Sequence, residues 1–373
     1  MHFAVGEESD CGGVYRIKHL DNKLFSPLHK SIFFNSFPLA NFNFKKVVEK
    51  VKPDIIHCHN IGTKISLGAL RVAIENEIPC VVTIHDYWPI CLNRSYLKQG
   101  FNYCNERSWN NCPSCKGQER LMERDRIGYA VYRMLAEFVR KGMRERQMLL
   151  QNDGLSLVAV SEYVRTKLIR FGYSPHKLSV LHNGIDIRRF HPSRVDSEKK
   201  IILFVGSSSA NLSIKKGINH FVRIAEKVRK QRPDVKFVNI GGKGACTAAI
   251  KNTGRIPHEQ IVDYFQQALL LCVPSLFPEP FPTVTLEAMA CGIPVIAYAV
   301  GGLPEEIEDA KTGFLVEPGN IDMFVNRVIL LLNDENLARC LGSEGRRRAV
   351  EYFNSDLMCA KYEQLYARIK SQK

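Results

Sequence analysis

Two carboxylates and a predicted helix start lie close together in one stretch of the chain. Glu279 and Glu287 are eight positions apart. Before them, the apolar residues 270–273 predict a short buried strand, and a proline-rich loop then leads into a helix that begins near Thr283. The amides of residues 283–285 would be the unbonded N–H groups of that helix start, which attract an anion. The pattern therefore predicts a pocket for an anionic ligand at the carboxyl edge of a parallel sheet.

Three histidines lie on predicted strands in the first half of the chain. His85 falls at the carboxyl end of the strand predicted for residues 79–86, where catalytic groups gather in parallel sheets. We therefore interpret His85 as a candidate catalytic residue. His57 and His59 belong to the preceding predicted strand, residues 53–60, and for them we favour a structural role with bonds to neighbouring groups.

Four cysteines fall within 25 positions, in a segment whose glycine and asparagine residues predict a loop. Thiolates at this spacing could hold one structural zinc ion in tetrahedral geometry. A single C-x2-C pair makes zinc the weaker alternative, and plain thiols are the interpretation that we favour, with both left open by the sequence. The four residues are Cys91, Cys104, Cys112 and Cys115.

Length and composition indicate a folded protein of about two domains. The chain has 373 residues, of which 45% are hydrophobic, and this argues against disorder. No apolar run reaches the ~20 residues of a membrane span and no signal peptide is visible, so we expect a cytoplasmic protein with reduced thiols. The net charge of +14 predicts an anionic partner such as a membrane surface. Because no recognition motif accompanies the charge, we expect no nucleic-acid partner.

Alternating helix and strand patterns predict an α/β protein with parallel sheets. In the first half, the predicted strands at residues 53–60 and 79–86 are separated by a predicted helix at residues 67–75. An earlier helix is predicted at residues 44–51, with Asn43 as its N-cap.

The next segment, residues 119–150, is predicted to form one or two amphipathic helices with basic exposed positions. Such a helix could lie on an anionic membrane, although packing against the sheet is the alternative that we favour. A strand is predicted at residues 157–161, and Ser161 is the predicted N-cap of the helix after it.

The carboxylate stretch resembles the E-x7-E signature of glycosyltransferase family 4, whose members are retaining enzymes with the GT-B fold. The resemblance extends to the Leu-Glu-Ala-Met-Ala-Cys-Gly-Ile-Pro-Val run at residues 286–295, to Gly301-Gly302, and to the His-Asn-Gly-Ile-Asp segment at residues 182–186. It implies two doubly wound, Rossmann-like domains that face a cleft. The implied parts are an acceptor-side domain (1–193), a linker (194–200), a nucleotide-sugar domain (201–350) and a helix that crosses back to the first domain (351–373).

Members of this family usually open with a strand, a glycine-rich loop and a helix. That unit is not recognisable here, because Gly12-Gly13 lies on the wrong side of the strand predicted at residues 2–5. We expect the chain to begin at about the second strand of the usual fold, as an N-terminally truncated member.

The resemblance also implies a role for each candidate site residue. Glu287 would bond to the ribose hydroxyls of a nucleotide, Glu279 to the transferred sugar, and His85 would face the sugar-phosphate from the first domain. Lys216, at the predicted start of a helix, would hold the donor diphosphate, with Lys215 as a second cation. The other implied donor-binding residues are Gly254, Arg255 and Ile256, in a loop beside the base, and Phe281, Pro282, Thr283, Val284 and Thr285.

The resemblance therefore implies a metal-independent, retaining glycosyltransferase of the kind used in polysaccharide biosynthesis. It would move a sugar from a UDP-, GDP- or ADP-sugar to a glycan or lipid-linked acceptor, with no cofactor required for catalysis. Its basic surface would allow peripheral contact with the inner face of the membrane. The alternatives are a truncated, non-catalytic remnant that binds nucleotide or, with less support, a GT-B sugar-nucleotide epimerase or phosphorylase.

Overall fold

The computed structural model describes residues 38–59, 67–98, 136–193, 201–207, 209–242 and 249–371, together with residue 61 and isolated positions between 104 and 134. The chain divides into two compact units. One ends at Leu181 and resumes at Glu363, and the other comprises His182–Tyr362. The N-terminal strand and the linker at residues 194–200 lie outside the described residues. The domain limits at residues 193 and 350 stay predictions.

The first unit contains four parallel strands, namely β1 (Ile56–His59), β2 (Cys80–Ile84), β3 (Leu155–Ala159) and β4 (Leu178–Val180). They form one sheet in the order β1-β2-β3-β4. Every residue of β2 is buried, as expected for a central strand of a parallel sheet with cover on both faces. His59 lies opposite Thr83, so β1 and β2 end side by side at one edge of the sheet.

Four helices of this unit are described, namely α1 (Pro38–Val51), α2 (Gly68–Glu75), α3 (Ala136–Leu150) and α4 (Glu162–Arg170). Ser161 Oγ accepts a hydrogen bond from Val164 N at 3.2 Å, which confirms Ser161 as the N-cap of α4. The prediction for Asn43 is wrong, because α1 already begins at Pro38 and Asn43 lies inside the helix. Proline suits that position, since it has no N–H group to leave unpaired in a first turn.

The amphipathic helix α3 packs into the first unit along one face. Val139, Met143 and Leu150 are buried, and the guanidinium of the buried Arg146 donates a hydrogen bond to Trp88 O at 2.5 Å. Packing inside the unit is the alternative that we favoured from the sequence. The opposite face of α3 is exposed.

The second unit contains six parallel strands, namely β5 (Ile201–Val205), β6 (Lys236–Ile240), β7 (Ile250–Gly254), β8 (Ala268–Val273), β9 (Val295–Tyr298) and β10 (Gly313–Val316). They form one sheet in the order β10-β9-β8-β5-β6-β7. The direction in which successive strands are added therefore reverses at β5 and β8. In doubly wound sheets, such a reversal opens a ligand crevice at the carboxyl ends of the strands. The predicted α/β class is confirmed in both units.

The helices of the second unit correct one prediction and refine another. Lys215 ends a short helix and Lys216 follows it as the C-cap, so neither lysine opens a helix; the helix predicted there begins after Gly217. Gly254 ends β7 and does not lie within a loop. The helices are α5 (Ala210–Lys215), α6 (Ile218–Gln231), α7 (Ile261–Gln267), α8 (Thr283–Ala290), α9 (Leu303–Glu306), α10 (Ile321–Asn333), α11 (Glu335–Tyr352) and α12 (Ser355–Ser371).

The last helix, α12, is shared between the two units. Its residues up to Tyr362 group with the second unit and those from Glu363 with the first. Within the first unit, Lys370 Nζ lies 3.2 Å from Asp54 Oδ2. None of the helices that the structure describes has the length and apolar composition needed to cross a membrane.

Candidate active site

Glu279 is held on the loop between β8 and α8. Its residue is only 6% exposed, and Ser275 Oγ donates a hydrogen bond to Glu279 Oε1 at 2.7 Å. The loop backbone is fixed by a tight turn, in which Gly302 N donates to Glu279 O at 2.7 Å. A Cβ atom on Gly301 (φ +61°) would lie 2.0 Å from Glu279 O. The turn therefore requires glycine, and it sets the position of the carboxylate.

A close backbone contact between Gly217 and Pro274 places Lys216 next to the Glu279 loop. Gly217 has a φ of +85°, and a Cβ atom there would lie 1.8 Å from Pro274 O. Next to it, Leu276 N donates a hydrogen bond to Lys215 O at 2.8 Å. The segment around Lys216 is thus packed directly against the start of the Glu279 loop. The structure accordingly places four of the predicted or neighbouring residues around one small cavity, namely Lys216, Ser275, Glu279 and Val284.

This cavity combines a carboxyl group, a cation and the start of a helix. Burial raises the pKa of Glu279, while the Lys216 charge and the Ser275 hydrogen bond lower it. The N-terminal amides of α8 have no partner within the helix by geometry. Thr285 N donates to Pro282 O at 3.3 Å, so two amides, those of Thr283 and Val284, remain for an anion in place of the three predicted. The arrangement suits a phosphate group beside a polar ligand.

Glu287 is buried within α8, and its partners differ from those of Glu279. It is 6% exposed, and its Oε1 lies 3.4 Å from His258 Nε2. Burial raises the pKa of Glu287, and hydrogen bonding to His258 is the largest effect that lowers it. Arg189 contributes a smaller lowering and donates to His258 O at 2.5 Å. Glu287 is therefore a buried acceptor beside an exposed imidazole.

Phe281 and the end of β7 complete the predicted donor-binding set. Phe281 is buried, and the ring of His182 stacks on it with centroids 4.7 Å apart. Asn183 Nδ2 donates to Phe281 O at 2.9 Å, so residues before β5 help to hold the loop. Gly254 O accepts from Gly241 N at 2.8 Å, and Arg255, which follows, is exposed.

His85 lies in the first unit, directly after β2. Its Nε2 atom is 2.8 Å from His59 Nδ1, and the two rings stack with centroids 5.2 Å apart. Burial and the neighbouring His59 lower the pKa of His85 to about 4. His57, in turn, contacts Thr83 and Tyr366, which fits the structural role that we favoured for it.

Two of the four cysteines form hydrogen bonds with the segment around Tyr96. Cys104 N donates to Tyr96 O at 3.0 Å, and Asn93 Nδ2 donates to Cys115 Sγ at 3.5 Å. Burial raises the pKa of Cys91 to about 11, with smaller contributions from Cys104 and Cys115. Nevertheless, no group of three or more His, Cys, Asp or Glu residues in the described part of the chain is arranged to hold a metal ion. The zinc ion stays a prediction.

Sequence reasoning missed three partners of the site residues. Ser275, His258 and His59 were not identified as neighbours of Glu279, Glu287 and His85. Ser275 could have been found, because it lies only four positions before Glu279. The other two pairs are 29 and 26 positions apart, and only the tertiary structure brings them together.

Two protein-family descriptions match this chain, one after the other. Glycosyltransferase Family 4 matches residues 13–189, and Glycosyl transferases group 1 matches residues 187–348. The chain belongs to glycosyltransferase family 4. The E-x7-E stretch that suggested the family lies within the second match, which also contains Lys216 and the Gly301-Gly302 turn.

Curated relatives of this family 4 member include several transferases. Spore coat protein SA of Bacillus subtilis is 28% identical over 348 residues, which are 82% of this chain and 89% of that protein. The MMP alpha-(1->4)-mannosyltransferase of Mycolicibacterium hassiacum is 27% identical over 245 residues, 61% of this chain and 58% of the enzyme. Sulfoquinovosyl transferase SQD2 of Arabidopsis thaliana is 22% identical over 338 residues, 86% of this chain and 58% of the enzyme. The chain thus spans less than two thirds of the length of these two transferases.

Solved structures with the same fold cover most of the chain. Sucrose-phosphate synthase from Thermosynechococcus elongatus has a TM-score of 0.64 and 22% identity, over 98% of this chain and 83% of that one. Anabaena HepE in complex with UDP has a TM-score of 0.64 and 19% identity, over 90% and 85%. At these identities the likeness shows the fold, and the predicted GT-B class is confirmed.

Proposed function

We propose that this family 4 member transfers a sugar from a nucleotide-sugar donor to a glycan or lipid-linked acceptor, with retention of the anomeric configuration. The observation that carries the proposal is the cavity where Lys216, Glu279 and the start of α8 meet. Family membership supports it, as do relatives named as a mannosyltransferase and a maltose-1-phosphate synthase. HepE has been solved with UDP and with UDP-glucose, which favours a nucleotide-sugar as the donor.

The donor diphosphate would lie between Lys216 and the amides of Thr283 and Val284. Negative charge grows on the diphosphate as the bond to the sugar breaks, and fixed donors that already point at it stabilise the transition state. Lys216 and the two amides supply that stabilisation without a metal ion, which supports metal-independent transfer. Lys215, the last residue of α5, is the second cation of the proposed site.

The two carboxylates would bind different parts of the donor. Glu279 Oε1 is engaged by Ser275, which leaves Oε2 as the oxygen for a sugar hydroxyl. Glu287, next to His258, would accept hydrogen bonds from the ribose hydroxyls. Gly254, Arg255 and Ile256 would flank the base, mainly through their backbone. His85 would polarise or position the sugar from the first unit, as the family resemblance implies.

Retention would proceed by attack on the same face of the sugar that the diphosphate leaves, with no protein nucleophile assigned. Exclusion of water matters in this scheme, because water would otherwise hydrolyse the donor. A nucleotide-binding protein without transfer activity remains the alternative, and it shares the Lys216 and Glu287 contacts. It predicts donor binding without product in the wild type, so turnover of the wild type separates the two functions. Variants of Glu279 and His85 then test whether those residues take part in transfer.

A panel of donors tests the proposal directly. The change in melting temperature is measured with UDP-, GDP- and ADP-sugars. A donor at about 100 times its Kd should stabilise the fold by roughly 2.7 kcal/mol. Glu287→Ala should abolish this shift, because the ribose loses its acceptor. Glu279→Gln keeps the volume and the Ser275 bond, and should leave the shift in place while lowering turnover by roughly 10²-fold.

The control is Glu226→Ala, which removes an exposed carboxylate of the same unit and should change neither property. Turnover is followed as donor-dependent glycan or lipid product, and the anomeric configuration of the product is read by NMR. Adding EDTA should leave turnover unchanged. A selective donor shift with no product from any acceptor class would favour the non-catalytic alternative. Full turnover in Glu279→Gln would show that the site is assigned wrongly.

Peripheral membrane contact is a second feature that we propose, and the exposed face of α3 supports it. Phe138 is 51% exposed and Met148 is 65% exposed, with the exposed cations Lys141 and Arg144 between them. Apolar and basic residues on one helix face favour an anionic lipid surface. Co-sedimentation with vesicles that contain phosphatidylglycerol should exceed that with neutral vesicles and fall in the Phe138→Ser/Met148→Ser variant. Equal binding to both vesicle types would refute the preference for anionic lipid, and no binding to either would rule the contact out.

A further inference from the structure

Three imidazole rings stand in a row at the carboxyl ends of β1 and β2. The ring centroids of His57 and His59 are 4.1 Å apart, and those of His59 and His85 are 5.2 Å apart. His59 is therefore the middle ring, and its Nδ1 atom lies 2.8 Å from His85 Nε2. The sequence puts them here because His59 is the last residue of β1 and His85 follows the last residue of β2, the strand beside it.

The first ring of the row is anchored through both of its nitrogens. His57 Nε2 lies 2.7 Å from Thr83 Oγ1 on β2, and His57 Nδ1 lies 2.5 Å from Tyr366 Oη on α12. An imidazole held at both nitrogens cannot rotate without breaking a bond. The His57 ring therefore has a fixed orientation on one side of His59, and His85 lies on the other side. The orientation of His59 is restricted by both neighbours.

All three rings are neutral near pH 7. Burial lowers the pKa of His57 to about 3 and that of His85 to about 4, and burial also lowers the pKa of His59. A neutral imidazole carries one N–H. The contact between His59 Nδ1 and His85 Nε2 therefore contains a single proton. The tautomer of both rings depends on which of the two nitrogens carries it.

The consequence falls on the other nitrogen of His85. If His59 Nδ1 carries the proton, His85 Nε2 accepts the hydrogen bond, and the N–H group of the neutral His85 ring must be at Nδ1. If His85 Nε2 carries the proton, His85 Nδ1 is an acceptor. Among the residues that the structure describes, none forms a hydrogen bond with His85 Nδ1, so this nitrogen is the one available to a ligand. The hydrogen bond made by one ring nitrogen sets the role of the other.

We propose that His59 is a positioning residue, which fixes the tautomer and ring orientation of His85 so that His85 meets the donor through Nδ1. The inference rests on the proposed function, since His85 acts on a donor only in a transferase. It differs from the structural role favoured for His59 from the sequence. His59 would touch neither the donor nor the acceptor, and would act through His85 alone.

The test combines a spectroscopic readout with kinetics. Selectively ¹⁵N-labelled histidine is introduced, and the His85 ring signals are assigned with His85→Gln. In His59→Phe, which keeps a ring but loses the nitrogen, the His85 ¹⁵N shifts should move towards the average of two tautomers, and kcat should fall by roughly 10-fold with little change in KM. His59→Asn returns a polar atom near His85 Nε2 and should recover part of kcat. His176→Phe, at an exposed histidine of the same unit, is the matched control.

The outcomes separate this inference from the proposed function. Unchanged His85 ¹⁵N shifts in His59→Phe would overturn the inference, whatever the activity. An altered tautomer with full turnover in both His59→Phe and His85→Gln would also overturn it, although donor binding and transfer would still stand. If the wild-type chain transfers no sugar, the proposed function fails, and the NMR comparison still decides whether His59 sets the tautomer. Rescue by His59→Asn together with a shifted tautomer in His59→Phe supports the inference.

Discussion

Glu306, at the end of α9, should destabilise the second unit because its carboxyl group is buried without adequate partners. The residue is 0% exposed. Neither carboxyl oxygen makes a hydrogen bond of ordinary geometry within the described part of the chain, although the hydroxyl of Thr285 stands beside it. Burial raises the pKa of Glu306 well above its usual range, and the nearby charge of Glu279 adds to the rise. These surroundings favour the neutral form of the carboxyl group over the ionised form.

Two substitutions measure this cost in different ways. A buried polar group without a partner costs about 1–3 kcal/mol. Glu306→Met has a similar length and no polar atoms, so it should raise the free energy of unfolding by about that amount, or roughly 2–4 °C in melting temperature per kcal/mol. Glu306→Gln keeps the shape but cannot ionise. Glu306→Gln should change the free energy of unfolding little at low pH, and its main effect should be on how that free energy varies with pH.

The sign of that pH dependence follows from the raised pKa of Glu306. Below the unfolded-state pKa of about 4.3, both states hold the proton and Glu306 adds no slope. Between that pH and the higher folded-state pKa, only the folded chain holds it. The free energy of unfolding then falls with rising pH by about 1.4 kcal/mol per unit. Glu306→Gln lacks this loss, so its advantage over the wild type should grow with pH.

Urea unfolding followed by circular dichroism at pH 5, 6, 7 and 8 provides the measurement. Tryptophan fluorescence reports on the first unit alone, because Trp88 and Trp109 precede Leu181, and it identifies which transition belongs to which unit. Glu226→Gln, at an exposed site in the second unit, should stay within about 0.5 kcal/mol of the wild type at every pH. If Glu306→Gln and the wild type follow parallel lines across this range, the burial argument is wrong.

Three further predictions concern the first unit. Ser161→Ala removes the N-cap of α4 and should cost about 1 kcal/mol in urea unfolding, whereas Ser161→Asp should keep most of the stability. Burial lowers the pKa of His57 to about 3, so between pH 6.5 and pH 3 only the unfolded chain binds a proton at this residue. The free energy of unfolding should therefore fall as the pH drops from 6.5 towards 3, by at most about 0.7 kcal/mol per pH unit once partial exposure is allowed for. In His57→Phe, unfolding followed by tryptophan fluorescence should show a smaller fall over the same pH range. If the zinc prediction is correct, mass spectrometry should detect one zinc ion per chain in the wild type and none in Cys112→Ser. A wild-type protein that is folded without metal would refute the prediction.

Much of the fold could be predicted because its signals are local. The apolar strand before the Glu279 loop, the proline-rich loop and the helix start at Thr283 are consecutive in sequence, and the structure has all three. The helix at Lys215 and Lys216 was placed wrongly, because the pattern there does not reveal that Gly217 turns the chain between two helices. The left-handed conformation of Gly217 is set by its contact with Pro274, 57 positions away in sequence. Tertiary contact decided that boundary.

The site was predicted less completely, for a related reason. Glu279 and Lys216 share a cavity, as the family resemblance implied. The neighbours of the candidate residues are set by tertiary structure. His258 comes from the segment between β7 and α7, whereas His59 comes from the strand beside β2. The sequence shows the functional groups but not the partners that change their pKa values, and these partners are visible only in the folded structure.

The contrast between Glu279 and Glu306 shows why chemistry is assigned to the first of these carboxyls. Both are buried in the second unit, and burial raises the pKa of each. Glu279 has Ser275 as a hydrogen-bond donor and Lys216 as a nearby cation, and both effects favour its ionised form. For Glu306, the Thr285 hydroxyl and the Arg348 charge favour the ionised form, but the neighbouring carboxylates Glu279 and Glu305 add to the effect of burial. A carboxyl group that accepts hydrogen bonds from sugar hydroxyls must be reachable. Glu279 lines the cavity, whereas Glu306 is fully buried and its surroundings favour the neutral form.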